Sequence, residues 1–274
     1  MAEVKLTGKA LIEDIAGARP PAGSIAFWWM GQASYVFKGS AVIYIDPYLT
    51  PNPHRRTPPL LDYDEVTNAD LILCTHDHLD HIDPDTLDPI SKASPRATIV
   101  VPRPHVEKIA GLGIPRERIA GMTHRDVFAK DGVIVTALKS KHEFFDEDPV
   151  LGFPYLGYVV ETNGFRFYHS GDTIPYEGLA TSLREMRPDA LFLPINGRDA
   201  ERYRRNCIGN CTFQESVDLA GEAEPAWAIP MHWDMFPGNQ EDPQKFVDYL
   251  AAKFPGIKTW VGAAGERVVV SRKS

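Results

Sequence analysis

Short apolar runs rich in aromatic and β-branched residues, cut by Gly, Ser or Pro, dominate the first fifty positions. IAFWWMG, SYVFKG and AVIYIDP read as three consecutive strands. PYLTPNPHRRTPP (47–59) holds too much proline for regular structure and is expected to be a loop, either a cover for a site or plain surface. ADLILCT then reads as a buried strand. DPDTLDPISKA reads as a helix capped by Asp83 with Pro84 in its first turn. ATIVVP predicts a strand, PHVEKIAGLG a helix closed by glycine, and ERIAG a short strand.

The middle of the chain alternates with period two. DVFAK and VIVTALKS flank the turn Asp131-Gly132, while YLGYVVET and FRFYHS flank Asn163-Gly164, a strong hairpin signal. Beyond it, helical and strand patterns take turns: PYEGLATSLREMR, DALFLPI, TFQESVDLAGEA, AWAIPM and DPQKFVDYLAAKF, with KTWVG and RVVVS as closing strands. Strand groups punctuated by helices in both halves predict an α/β architecture of two mixed sheets with helices outside, in one domain spanning 1–274.

Composition narrows the class without choosing a function. A chain of 274 residues that is 43% apolar and 24% charged is ordinary for a globular protein. A formal charge of −8 argues against nucleic acid or an anionic membrane as partner. MAEVKLTGKALIEDI lacks the apolar core of a secretion signal, and no apolar run approaches the ~18 residues of a membrane span. Three cysteines, Cys74, Cys207 and Cys211, suit a reducing compartment and structural thiols, so a cytoplasmic protein is expected; a homo-oligomer is compatible with all of this.

The stretch LILCTHDHLDHID (71–83) changes the picture. Three histidines and three aspartates in thirteen positions resist burial unless something binds them. His76, His78, Asp80 and His81 form H-x-H-x-D-H where a buried strand gives way to loop. Residues two apart on extended chain face one side, so His76 and His78 can reach one ion, while Asp80 and His81 approach from another direction. Nitrogen and oxygen ligands without sulfur suit one or two divalent ions, zinc or manganese first and iron third.

H-x-H-x-D-H resembles the signature of the metallo-β-lactamase superfamily of metal-dependent hydrolases. ALKSKHEF, FRFYHSGDT and AIPMHWD fit that family's remaining ligand positions in order, with His142, Asp172 and His232. The resemblance implies an αββα sandwich. It implies that His76, His78 and His142 hold one metal, that Asp80, His81 and His232 hold the second, and that Asp172 bridges them. Asp80 would also orient the nucleophile or take a proton, and Asp46 and His169 would hydrogen-bond behind the ligands. Bland alternatives stand beside these roles: Asp172 as a helix cap, His142 as a loop residue, His232 as a core histidine, and Asp46 as a turn former before proline. The family's diiron flavoproteins carry a carboxylate where this chain has His78, which argues against oxidative chemistry.

PINGRD, RRN, PMHWDMFPGN, WMGQASYVF and IDPYL are similar to the L-ascorbate-6-phosphate lactonase branch of that superfamily. That likeness implies hydrolysis of a phosphorylated sugar-acid lactone, with water activated at the metals attacking the ring carbonyl. Asn196, Arg198, Arg202 and Arg205 would hold the small anionic substrate, unless the arginines simply pair with Asp199 and Glu201 in a solvated loop. A phosphodiesterase on the same metals, or a noncatalytic metal-binding protein, is the alternative reading.

Overall fold

The computed structural model describes residues 3–273. Its first sheet is built from β1 (Ser24–Trp29), β2 (Tyr35–Lys38), β3 (Val42–Ile45), β4 (Leu71–Leu73), β5 (Thr98–Pro102) and β6 (Ile119–Met122), with β13 (Val268–Ser271) on the outer edge of β1. The second sheet runs β12 (Trp227–Met231), β11 (Ala190–Pro194), β10 (Phe165–His169), β9 (Leu156–Thr162), β8 (Val133–Lys139) and β7 (Val127–Lys130). β1 to β3 and β7 to β10 are antiparallel, joined by short turns except for the long loop 140–155 between β8 and β9, whereas longer crossovers make β3 to β6 and β10 to β12 parallel.

The aromatic runs of β1 and β2 are buried on both faces: one meets the second sheet, and on the other Trp28 Nε1 donates to Asp14 of the N-terminal helix at 2.9 Å. Phe37 stacks on Phe167 of the opposite sheet with ring centroids 4.2 Å apart, and Phe27 meets Phe192 edge-to-face at 5.3 Å. Such pairs add about 0.5–1.5 kcal/mol each beyond area burial. Outside the second sheet, α4 (Leu179–Met186), α6 (Phe213–Ala223) and α7 (Pro243–Lys253) bury Leu183, Val217, Ala220, Phe246 and Leu250 against Leu191, Leu193 and Ala228. α1 (Gly8–Gly17) and α2 (Pro84–Ala93) bury Leu11, Ile15, Leu87 and Ile90 in the large cluster of the first sheet. The result is the αββα sandwich.

Several elements differ from the pattern-based expectation. α1 was not foreseen, because Gly8 and Gly17 bound it and Thr7 makes no side-chain cap; Leu11 and Ile15, one turn apart, were its only signal. PYEGLATSLREMR becomes helical only at Leu179, since Gly178 takes φ +91° just before it. KTWVG forms no strand: Lys258 makes a single bridge to Trp227 beside the sheet. Among the described residues no helix is long and apolar enough to cross a membrane.

Candidate metal centre

Ends of strands from both sheets converge at one edge of the sandwich. β4 leads through Cys74 and Thr75 to His76 and His78; β8 leads to His142, β10 to Asp172 and β12 to His232. Position is fixed from below. Tyr158 Oη donates to the Cys74 carbonyl at 2.8 Å, and Leu156 N–H donates to the Thr75 carbonyl at 2.9 Å, tying the strand end of one sheet to the other. After His78 the chain turns, with His81 N–H and Ile82 N–H both donating to the His78 carbonyl. Asp83 then caps α2 by accepting from Asp85 N–H at 3.2 Å. Gly171 sits at φ +57°, and a Cβ there would lie 2.7 Å from Thr75 Cβ and 3.0 Å from the Leu156 carbonyl, so the turn carrying Asp172 requires glycine.

The seven side chains assemble into two adjoining groups. His76, His78, His142 and Asp172 each offer an atom within 4.8 Å of the others, and so do Asp80, His81 and His232. Asp172 lies between them: its Oδ2 is 3.7 Å from His142 Nε2 and 3.3 Å from His232 Nε2, and its Oδ1 is 3.4 Å from His81 Nε2. Asp80 Oδ2 is 3.7 Å from His81 Nε2 and 3.6 Å from His232 Nε2. These are the separations of donors gathered around an ion, longer than direct hydrogen bonds.

Whether a cation fits can be tested on the side chains themselves. His81 Nε2, His142 Nε2 and Asp172 Oδ1, which all face the centre, are buried without a hydrogen-bond partner. Buried polar atoms in native proteins are almost always satisfied, and three stranded atoms facing one centre are accounted for by bound cations. The electrostatics agree. Burial drives His76 and His142 toward the neutral, ligating form, His142 down to about 4. At His81 burial acts the same way but is outweighed by Asp172, Asp80 and Asp46, which lift it to about 9. At His232 burial is likewise overcome, chiefly by Asp172, so its affinity for a proton is raised. The second group attracts positive charge, which a proton supplies when a metal does not.

Asp46 closes this group from behind. It accepts from Thr75 N–H and Thr75 Oγ1, both at 2.7 Å, and its Oδ2 lies 2.7 Å from His81 Nδ1, leaving His81 Nε2 to face the centre. His169 acts on the backbone instead of on a ligand ring. Its Nε2 bonds the Ala33 carbonyl at 2.9 Å and its Nδ1 accepts from Gly171 N–H at 3.3 Å, which braces the turn before Asp172. Gln32 was not foreseen. Buried in the β1–β2 turn, its side-chain amide reaches Asp80 and His232. Gln32, Asp46 and His232 all hold φ between +47° and +58°, a costly conformation for residues with a side chain, and all three meet at this centre.

A cavity of about 310 Å³ opens above the ligands, lined by His78, Leu79, Asp80, Asp172, Asn206, Cys207, Ile208, His232, Phe236 and Asn239. None of the arginines expected to hold substrate lines this cavity. Arg198 grips Glu215 with two bonds of 2.6 Å, Arg202 pairs with Asp199 and donates to the Gln240 carbonyl at 2.8 Å, and Arg205 donates to the Gly238 carbonyl at 3.2 Å. They brace α5 (Ala200–Arg204) and the loop before α7. Asn196 is likewise buried and structural, donating to Asn239 Oδ1 at 2.8 Å and accepting from Asn210 at 3.1 Å. Asn239, which does face the cavity, is held in place by this network. The proline loop is packed down: Thr57 Oγ1 bonds Asp234, Arg56 N–H bonds the Met235 carbonyl at 2.9 Å, and Arg55 Nη1 bonds the Thr50 carbonyl at 2.9 Å.

Comparison with known proteins agrees with this geometry. Residues 42–233 match the family described as beta-lactamase superfamily domain. A UPF0173 metal-dependent hydrolase of Archaeoglobus fulgidus is 29% identical over 243 residues, covering 87% of this chain and 96% of that protein. A UPF0173 metal-dependent hydrolase of an Exiguobacterium species is 30% identical over 228 residues, covering 81% of this chain and 92% of that protein. Among solved structures, Igni18, a metallo hydrolase from the archaeon Ignicoccus hospitalis, superposes with a TM-score of 0.73 at 22% identity, covering 91% of this chain and all (100%) of that one. None of these relatives points to the ascorbate-phosphate lactonase branch. The chain belongs to the metallo-β-lactamase superfamily, within its UPF0173 family of metal-dependent hydrolases.

Proposed function

We propose that this hydrolase opens a carboxylic ester or lactone of a small substrate that carries no strong anionic handle. The supporting observation is the lining of the cavity: beside the ligands it offers apolar Leu79, Ile208 and Phe236, amides from Asn206 and Asn239, and no lysine or arginine. A phosphorylated substrate would gain from bidentate guanidinium contacts, which the arginines nearby spend on Glu215, Asp199 and backbone carbonyls. The narrower reading, a phosphorylated sugar-acid lactone, therefore rests on sequence likeness alone. A neutral lactone fits the lining better.

His76, His78 and His142 would hold one divalent ion and Asp80, His81 and His232 the other, with Asp172 between; zinc or manganese suits these nitrogen and oxygen donors. When bound, such ions make water nucleophilic near neutral pH and polarise the carbonyl under attack. Asp80 has the most solvent-exposed carboxylate of the centre, at 18%, and it faces the cavity. Burial raises its pKa, but His81 and His232 outweigh burial and keep it ionised. It is thus a hydrogen-bond acceptor, able to orient a nucleophile. Asn206 and Asn239 line the cavity, where their amides would meet the ester.

A substrate panel tests the assignment: neutral lactones, the same lactones phosphorylated, and a bis-aryl phosphodiester. Turnover of neutral lactones or simple esters at higher kcat/KM than their phosphorylated forms is expected. Activity confined to the phosphodiester would replace the proposal with phosphoryl chemistry.

A further inference from the structure

Gln32 stands where no ligand was expected. Its side chain is 1% exposed, and its Nε2 lies 2.9 Å from Asp80 Oδ2 and 3.1 Å from His232 Nε2. Its Oε1 is buried with no partner. The backbone leaves it little freedom. Gln32 N–H donates to Asp234 Oδ1 at 2.8 Å, and its carbonyl accepts from His232 N–H and from Trp29 Nε1, each at 3.1 Å. The turn that fixes His232 is therefore the turn that aims this amide.

We infer that Gln32 is a further ligand of the second metal position, binding through its side-chain oxygen. The two ends of a carboxamide have the same shape and differ only in donating or accepting. As oriented here, Nε2 donates to the Asp80 carboxylate, while donor and acceptor in its contact with His232 Nε2 are set by the protonation of the imidazole. A cation held by Asp80 Oδ2 and His232 Nε2 takes up the imidazole lone pair and repels the N–H that points at the same two atoms. A half-turn of the amide then presents Oε1 to the same two atoms. Acceptor facing acceptor at 2.9 Å is repulsive unless a cation lies between them. One end of the amide is stranded in either orientation, so the cation decides which.

The spacing is compatible with this reading without deciding it. Gln32 stands at 2.9 and 3.1 Å from its two neighbours, which are hydrogen-bond distances and also the separation of two ligands about 2.1 Å from one ion at right angles. Added to Asp80, His81, His232 and the shared Asp172, it brings the protein ligands at this position to five. Five oxygen and nitrogen donors favour a six-coordinate ion such as Mn²⁺ or Fe²⁺ over tetrahedral Zn²⁺. The inference rests on the two-metal reading of the centre and is independent of the substrate class.

The test is a Co²⁺ titration of the full chain after chelator treatment, followed by calorimetry and visible absorption, because six-coordinate Co²⁺ absorbs far more weakly than four- or five-coordinate Co²⁺. Two equivalents are expected for the unaltered protein, one of them weakly absorbing. Gln32→Met should lower the affinity of that equivalent about ten-fold or more and intensify its absorption, leaving the other equivalent unchanged. Gln32→Glu, with an oxygen in the same place, should keep the weak absorption and bind at least as tightly. A Met variant whose second equivalent keeps its weak spectrum, whatever its affinity, would show the amide to be only a hydrogen-bond donor and overturn the proposal. Should the Met variant bind neither equivalent, the Glu variant decides, and weakened or intensified second-site binding in it overturns the assignment. A single equivalent in the unaltered protein would overturn the two-metal reading itself, so the two failures are told apart by stoichiometry and spectrum.

Discussion

Asp46 Oδ2 lies 2.7 Å from His81 Nδ1, with both side chains fully buried, so the carboxylate at the end of one strand sets the tautomer of a ligand 35 residues later. Replacing Asp46 by Ala frees the ring to rotate and leaves Thr75 N–H without its acceptor. Metal affinity at the second position should fall about 10–100-fold. Calorimetric titration of the variant checks this; unchanged affinity would mean that packing alone orients His81.

His78 is only half-buried and groups with His76, His142 and Asp172. Its replacement by Ala should remove turnover while costing little stability, because it lies outside the apolar core. Activity and thermal denaturation measured on one preparation separate the two effects. A variant that stays active without His78 would remove it from the ligand set.

The arginines carry a contrary expectation. Arg198→Ala breaks the pair with Glu215, a half-exposed interaction, and should cost about 1 kcal/mol or less. Arg205→Ala should change KM for phosphorylated and neutral lactones equally. A KM increase confined to phosphorylated substrates would restore Arg205 as a phosphate handle.

Proton linkage at the centre has a definite sign. The pKa of His81 in the metal-free protein, about 9, lies above its ordinary value of 6.5, so its contribution to stability is full below pH 6.5 and is lost as pH rises through 9. His142, lowered to about 4, works the other way: its contribution is present above 6.5 and lost as pH falls toward 4. Chelated protein should therefore lose thermal stability from pH 6.5 to 9. Metal-loaded protein should not, because its ligands are already deprotonated. Melting curves that fall in parallel, with and without chelator, would contradict the assignment.

Much of this was legible in the chain because metal ligands sit at strand ends, and strand ends are marked by a change from apolar to polar residues. H-x-H-x-D-H, the turn at Gly171-Asp172 and the PMHWD stretch all carry that mark. The hairpins and crossovers were readable for the same reason. Gln32 was not, since one glutamine in an ordinary strand-turn-strand has no spacing signature and acquires its role only from φ +54° and from His232, 200 residues away. The partners of the arginines were not legible either, because clustering in sequence says nothing of them. Glu215, Gly238 and Gln240 claim them only once the chain has folded.

Metal content measured together with turnover bears most directly on the whole account. Purified protein should hold two divalent ions per chain, lose lactone or ester hydrolysis as a chelator removes them, and regain it when Zn²⁺ or Mn²⁺ is returned. Full hydrolysis by protein shown to contain no metal would contradict it.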